Sequence, residues 1–308
     1  MENLGSSILV VGTIKNGERT LQSEIKKCMK ALSNFDRVNF YLVESDSSDK
    51  TLQILNELKI SNSNFDFVSL GHLISRIPEQ YNRIRYCRNE YVKYLRNIKI
   101  QPKFVLVVDL DGMNSALNSK SINSCFTRDD WEVVIANQTI GYYDILALRH
   151  PAWQINDWRA DHEYYKNNLN RLKLTKNSRF TKIKKYLDLD KTQYLAIYSK
   201  MIRIPKKNEW IKVDSGFGGA AIYKSEVFLN YDYSKEFETS ETDHVTLHRK
   251  LVRDGGRIYI NPAFINSHFN TYNLNKFLII RSFRTFIWGT KFIYQSKFYK
   301  NLKKLIKI

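Results

Sequence analysis

The sequence predicts an α/β protein built on a mostly parallel sheet, and three observations predict it. Short runs of consecutive apolar residues recur along the first half of the chain, the pattern of strands buried on both faces. Each run is followed by a polar turn and then by a stretch with helical spacing, the alternation of a βα architecture. The acidic and glycine-rich motifs fall just after the apolar runs, at strand carboxyl ends, where open α/β sheets bind ligands.

Taken in order, residues 7–12 form the first apolar strand, followed by a polar turn at 13–17 and a helix over about 19–32. Residues 38–43 form a second strand, ending in the polar run Glu44-Ser45-Asp46-Ser47-Ser48-Asp49. Those Ser and Asp residues are good caps for a helix over about 50–58. A strand at 65–70, a helix at 82–97 and a strongly apolar strand at 104–108 follow. Beyond residue 130 the pattern loosens. Strands are expected at 131–136 and 142–148, a glycine turn leads into a strand over 216–223, a helix spans 240–254 and a strand 257–261. Residues 151–212 show no clear period until 193–204. No repeat or low-complexity linker interrupts the chain, so one main domain is expected over 1–270, with a basic insert at about 151–212 and a tail at 271–308.

The chain of 308 residues carries 49 Lys+Arg against 31 Asp+Glu, a formal charge of +18. Residues 1–165 hold 20 basic and 20 acidic side chains, 166–212 hold 14 and 3, 213–254 hold 5 and 8, and 255–308 hold 10 and none. The excess therefore sits on the insert and the tail, whereas a general nucleic-acid binder spreads it over a folded face. No nucleic acid is expected as partner. Cys28, Cys87 and Cys125 form no CxxC pair, which argues against a zinc ribbon and for a reducing compartment. No run approaches the ~18 apolar residues of a spanning helix, and the polar opening lacks a secretory signal. In the tail, lysines at 297, 300, 303, 304 and 307 share one helical face opposite Phe298, Leu302, Leu305 and Ile306. Such an amphipathic pattern fits an anionic membrane surface, so a cytoplasmic protein, peripheral on the inner membrane face, is expected.

The sharpest local motif is Asp109-Leu110-Asp111 after the strand at 104–108. Two carboxylates at a strand end suit a hard divalent cation that phosphate oxygens and water complete; the competing role is capping of the next turn. Glu44, with Asp46 and Asp49, ends the second strand, where either helix capping or a nucleoside contact is expected. Arg85, Arg88 and Asn89, with Arg83 nearby, share a helix whose basic side either meets solvent or clamps a pyrophosphate. Gly218-Gly219 permits close backbone approach. Glu241 and Asp243 open a helix, where acids also favour the dipole, and His268 follows the last strand as a candidate metal ligand.

The ordered series Gly12-Thr13, Glu44 to Thr51, Arg88-Asn89, Asp109-Leu110-Asp111, Gly218-Gly219, Glu241-Thr242-Asp243-His244-Val245 and His268 resembles the GT-A fold of nucleotide-sugar glycosyltransferases. It is similar in flavour to bacterial or viral enzymes of surface-polysaccharide assembly, over about residues 7–270. The resemblance implies that Asp109 and Asp111 hold Mn²⁺ or Mg²⁺ and the donor diphosphate, with His268 a late metal ligand. Thr13 and Glu44 would face the nucleoside; Asp46, Arg85, Arg88, Gly218 and Gly219 are further candidates for donor binding, the arginines as a pyrophosphate or metal-site clamp and the glycines for close approach of a sugar. Asp243 matches the acceptor-side carboxylate that is the general base of inverting members, with Glu241 able to exchange with it by a register slip. The donor would be a UDP- or GDP-sugar and the acceptor a glycan or lipid-linked saccharide. Two alternatives stand beside this: a nucleotidylyltransferase of the same architecture, for which residues 13–18 make a poor glycine-rich loop, and a basic nucleic-acid-binding protein.

Overall fold

The computed structural model describes residues 6–171, 190–234, 241–274 and 276–277. The chain divides into two compact units, one of Met1–Ile155 with Ile202–Asn270 and one of Asn156–Met201 with Thr271–Ile308.

The first unit is a single eight-stranded sheet. Its strands are β1 (Ser7–Ile14), β2 (Arg37–Glu44), β3 (Phe65–Ser69), β4 (Phe104–Val108), β5 (Val133–Gln138), β6 (Ile211–Val213), β7 (Ala220–Lys224) and β8 (Ile258–Ser267). They lie in the order β3-β2-β1-β4-β7-β5-β8-β6. β1 pairs in parallel with β2 and β4, β2 with β3, and β5 with β8, whereas β7 and β6 run antiparallel to their neighbours. The mostly parallel α/β sheet expected from the sequence is therefore present. Its parallel order puts the carboxyl ends of β1, β2, β4, β5 and β8 along one edge.

The first four helices of this unit are α1 (Leu21–Ala31), α2 (Thr51–Ser61), α3 (Gln80–Asn97) and α4 (Ser119–Asn123). Alternation along the strands sends side chains to opposite faces. Ile8, Val10, Leu106 and Val108 join Leu21, Ile25 and Cys28 of α1 in the main core cluster. On α3 the residues Cys87, Tyr91, Val92 and Leu95 are buried at spacings of three and four, the stripe of an amphipathic helix. All five residues of β4 are buried, so the polarity of Asp109 begins where the core stops.

Three expectations change. Residues 142–148 form no strand; the places beside β5 are taken by β7 and β8. The segment's apolar character comes from burial alone: Tyr142, Ile145 and Leu148 are fully buried, and Tyr142 N–H donates to Ile202 O at 2.9 Å. β8 runs past the expected 257–261, because the register shifts against β5 accommodate Pro262. The helix expected from 240 begins at Asp243 and runs to Arg253, and a short helix over Ser225–Asn230 precedes it; counting the first helix of the second unit as α5, Ser225–Asn230 is α6 and Asp243–Arg253 is α7.

That helix, α5 (Trp158–Arg171), lies in the insert where no period is readable in the sequence. Within its unit Lys200 Nζ pairs with Asp161 at 2.5 Å, and His162 Nε2 and the Thr192 hydroxyl are 3.1 Å apart. No helix among the described residues is long and apolar enough to cross a membrane. The amphipathic tail pattern beyond Phe277 lies outside the described residues.

Candidate active site

The site forms where the end of β4 meets the turn into β7. Asp109 N–H donates to Gly219 O at 2.9 Å, tying the first carboxylate to the glycine turn. Gly218 and Gly219 have φ of 68° and 79°, a left-handed conformation that Cβ-bearing residues rarely adopt. A Cβ on Gly218 would lie 2.6 Å from Ala136 O, and one on Gly219 would lie 2.8 Å from the Tyr143 hydroxyl. Gln138 and Asn266 amides both donate to Gly218 O, at 2.8 and 3.0 Å. The turn is thus clamped from β5 and β8 against the Asp109 backbone.

Arg88 reaches the same place from α3. Its Nε is ion-paired with Asp243, and its Nη2 lies 3.7 Å from Asp109 Oδ1. The guanidinium also lies over Phe217 and Tyr233, with centroids 5.2 and 5.6 Å away. These aromatic faces add a cation–π attraction and keep water from the fork. Asp243 is the first residue of α7, where the helix dipole also favours a carboxylate.

A carboxylate not singled out in the sequence completes the cluster. Asp144 accepts the Gly218 N–H at 3.1 Å and the Ala147 N–H at 3.3 Å. Burial pushes its carboxyl above the ordinary range, partly offset by those two donors. Asp109 keeps a 34% exposed side chain. Burial pushes it up to about 8; Arg88 opposes that shift, and Asp111, Asp144 and Asp243 reinforce it. Carboxylates outnumber the single guanidinium, so the locus has room for added positive charge. A lone acid inside the apolar segment Tyr142 to Leu148 was the available signal for Asp144.

A second concavity lies at the ends of β1 and β2. It encloses about 320 Å³ and is lined by Thr13, Lys15, Ser45, Asp46, Arg83 and Cys87 among others. Asp46, at φ 59°, accepts the Ile74 N–H at 2.9 Å and stands 3.8 Å from Arg83 Nε. Thr13 and Asp46 are therefore brought together, with Lys15 and Arg83 as the cations of the lining.

The structure does not gather every expected residue. Glu44 is 1% exposed; one oxygen accepts the Ser47 N–H at 2.9 Å and the other the Ser69 hydroxyl. It organises its own loop and does not line the cavity. Arg85 bonds the Glu241 carbonyl and Asn82, so it supports the turn before α7. Glu241 is oriented by Arg249 and Arg149, while Asp243 is the acid that meets Arg88. Asp111 is exposed at the opening of the loop. His268 lies apart from the aspartates in its contacts, with Nδ1 2.8 Å from the Thr139 hydroxyl. Among the described residues no three His, Cys, Asp or Glu side chains converge as a metal-binding group, so the expected Asp109–Asp111–His268 set is not assembled. β8 ends at Ser267, so His268 lies just past the amide clamp and beside Thr139, the residue that follows β5.

No family model and no curated protein sequence matches the chain. Among solved structures the chain is similar to the mannosyltransferase PcManGT from Pyrobaculum calidifontis in complex with GDP-Man and Mn²⁺, at 12% identity and a TM-score of 0.47, over 96% of this chain and 67% of that one. It is also similar to S. aureus TarS 1–349, at 13% identity and a TM-score of 0.41, over 82% of this chain and 57% of that one. A third likeness is to M. tuberculosis glucosyl-3-phosphoglycerate synthase, at 12% identity and a TM-score of 0.39, over 91% and 81%.

Proposed function

We propose that this chain is a metal-dependent glycosyltransferase of GT-A architecture, moving a sugar from a UDP- or GDP-sugar to a glycan or lipid-linked acceptor. The observation that carries the reading is that one buried guanidinium, Arg88, joins Asp109 at the end of β4 to Asp243 at the start of α7. The leaving-group side and the acceptor side of a transfer are thereby held at a fixed separation.

Asp109 and Asp111 are the residues that would hold a divalent cation. Hard carboxylate oxygens suit Mg²⁺ or Mn²⁺, which needs only one or two of them when phosphate oxygens and water complete the shell. Burial, reinforced by Asp111, Asp144 and Asp243, pushes Asp109 up to about 8, and an added positive charge there would favour its ionised form. When bound, such an ion supplies charge stabilisation to the departing diphosphate.

The chain's own residues do the rest. Thr13, Asp46 and Arg83 offer a polar concavity for the nucleoside, and the Gly218-Gly219 turn lets the sugar approach backbone closely. Arg88 adds a fixed positive charge beside the leaving group, preorganised by Phe217 and Tyr233. In an inverting transfer Asp243 accepts the proton of the acceptor hydroxyl as its oxygen bonds to the sugar's anomeric carbon and the bond to the diphosphate breaks. A retaining transfer leaves that base unused. The basic tail, by its charge pattern, supports attachment to the inner face of a membrane, with surface-glycan assembly as the setting.

The test is a thermal-shift screen of UDP-, GDP- and CMP-sugars with and without Mn²⁺. A ligand that binds only the folded state raises its melting temperature. The expected result is a metal-dependent shift with one donor class, lost in Asp109→Asn. Absence of a shift with every donor overturns the reading.

A further inference from the structure

A separate pocket of about 220 Å³ opens beside the end of β8. Its floor is apolar, with Ile204, Pro205 and Ile265; its polar rim includes Arg203, Lys206, Thr139 and His268. No carboxylate lines it. Arg203 and Lys206 make no ion pair among the described residues, whereas Asp109 and Asp243 of the first site both pair with Arg88.

The loop that carries the two cations is anchored. Ile202 O accepts the Tyr142 N–H at 2.9 Å, and Ile204 O accepts the buried Asn137 amide at 3.0 Å. Arg203 thus projects from backbone held on both sides. His268 is oriented by the Thr139 hydroxyl 2.8 Å from its Nδ1. When that hydroxyl donates, Nε2 carries the ring proton and becomes a third donor. Arg203 and Lys206 are exposed cations lining one concavity, so an anion seated there meets positive charge from two side chains.

We propose that this pocket binds a phosphate group, an ester whose apolar body rests on the Ile204–Ile265 floor. Guanidinium, ammonium and imidazole donors around one locus match the several oxygens of a tetrahedral phosphate better than the two oxygens of a planar carboxylate. On this proposal His268, expected from the sequence as a metal ligand, faces an anion instead. The inference stands on the pocket alone and does not require that the chain transfer a sugar.

The experiment titrates inorganic phosphate into the full chain in EDTA, with binding followed by calorimetry, for the unmodified protein and for Arg203→Gln/Lys206→Gln. The expected result is saturable binding that the double variant weakens by about tenfold or more, the scale of losing a charge-assisted hydrogen bond. The melting temperature of the double variant should stay unchanged, and UDP and GDP affinities should stay within twofold, an order-of-magnitude bound on indirect effects. His268→Gln is the second variant, expected to weaken phosphate by a smaller factor. Displacement of phosphate by glycerol 3-phosphate marks a soluble ester, and displacement by phosphatidic-acid vesicles marks a lipid headgroup; either supports the pocket. Three results overturn the proposal: no saturable phosphate binding, equal binding by the double variant, or equal weakening of UDP and GDP. The last would make the pocket part of the donor site. Failure here leaves the donor screen untouched, so the two readings fail separately.

Discussion

Arg88 and Asp243 form a buried ion pair between the middle of α3 and the first turn of α7, with side chains only 7% and 9% exposed. Burial works against the charged guanidinium, and Asp243 is the foremost of the acids that keep it protonated, followed by the Tyr91 and Tyr233 hydroxyls and Asp109. Such a pair costs desolvation on both sides, so its worth is tested by breaking it.

Arg88→Met leaves Asp243 buried without its partner and should destabilise the fold by about 3–5 kcal/mol. Asp243→Asn in the same chain should recover part of that loss. Urea unfolding of both single variants and the double variant gives the coupling, expected at about 1 kcal/mol or more. Additive losses would show that the pair does not hold α3 to α7.

His248 predicts acid lability. It is fully buried, bonded to the Ser215 and Tyr223 hydroxyls at 3.0 Å each, and burial lowers its pKa to about 3. Its folded pKa is depressed below the unfolded value of 6.5, so the unfolded chain binds the extra proton. Stability is complete above pH 6.5 and declines as pH falls toward 3, at about 1.4 kcal/mol per unit from this group. His248→Gln should reduce the fall in urea stability between pH 7 and pH 5 by about 2 kcal/mol. An unchanged pH dependence would assign the lability elsewhere.

Two glycines separate strain from crowding. Gly218 and Gly255 both have positive φ, 68° and 88°, but a Cβ on Gly255 meets nothing within 4 Å. Gly255→Ala should cost about 1–2 kcal/mol of backbone strain. Gly218→Ala should cost clearly more, since its Cβ collides with Ala136 O, and it should also weaken donor-dependent thermal shifts. Equal costs in paired melting curves would show that the turn yields without loss.

Neighbouring arginines on α3 should behave differently. Arg83 lines the concavity proposed for the nucleoside, so Arg83→Gln should weaken nucleotide binding by about tenfold, one charge-assisted contact. Arg85 bonds the Glu241 carbonyl, so Arg85→Gln should lower the melting temperature more than it lowers nucleotide affinity. Calorimetry with UDP and GDP, alongside melting curves, decides; the reverse pattern would move the nucleoside site.

Much of the site was legible locally. Asp109-Leu110-Asp111 could be placed because an apolar strand must end before two acids can stand, and β4 ends at Val108. Gly218-Gly219 was legible because adjacent glycines permit a conformation few other residues take. Arg88 was legible as a candidate clamp, though not as the partner of Asp243, because that contact joins residues far apart in sequence. For Glu44 the sequence left capping and ligand contact both open, because a carboxylate at a strand end reads alike whether it faces a ligand or its own loop. Asp144 was missed because its role exists only through Gly218 N–H, on another segment.

By itself the sequence determined the α/β alternation, the identity of the acidic and glycine turns, and the division of charge between a balanced first half and a basic insert and tail. Periodicity and composition act within a few residues, and these features need no more. Only the tertiary structure decided that β7 runs antiparallel between β4 and β5, that residues 142–148 are buried without forming a strand, and that Arg88 joins Asp109 to Asp243. It also set His268 beside Thr139 at the cationic pocket. Each of these depends on which distant segments compete for one place in the sheet, and that competition is settled by burial and pairing across the whole chain.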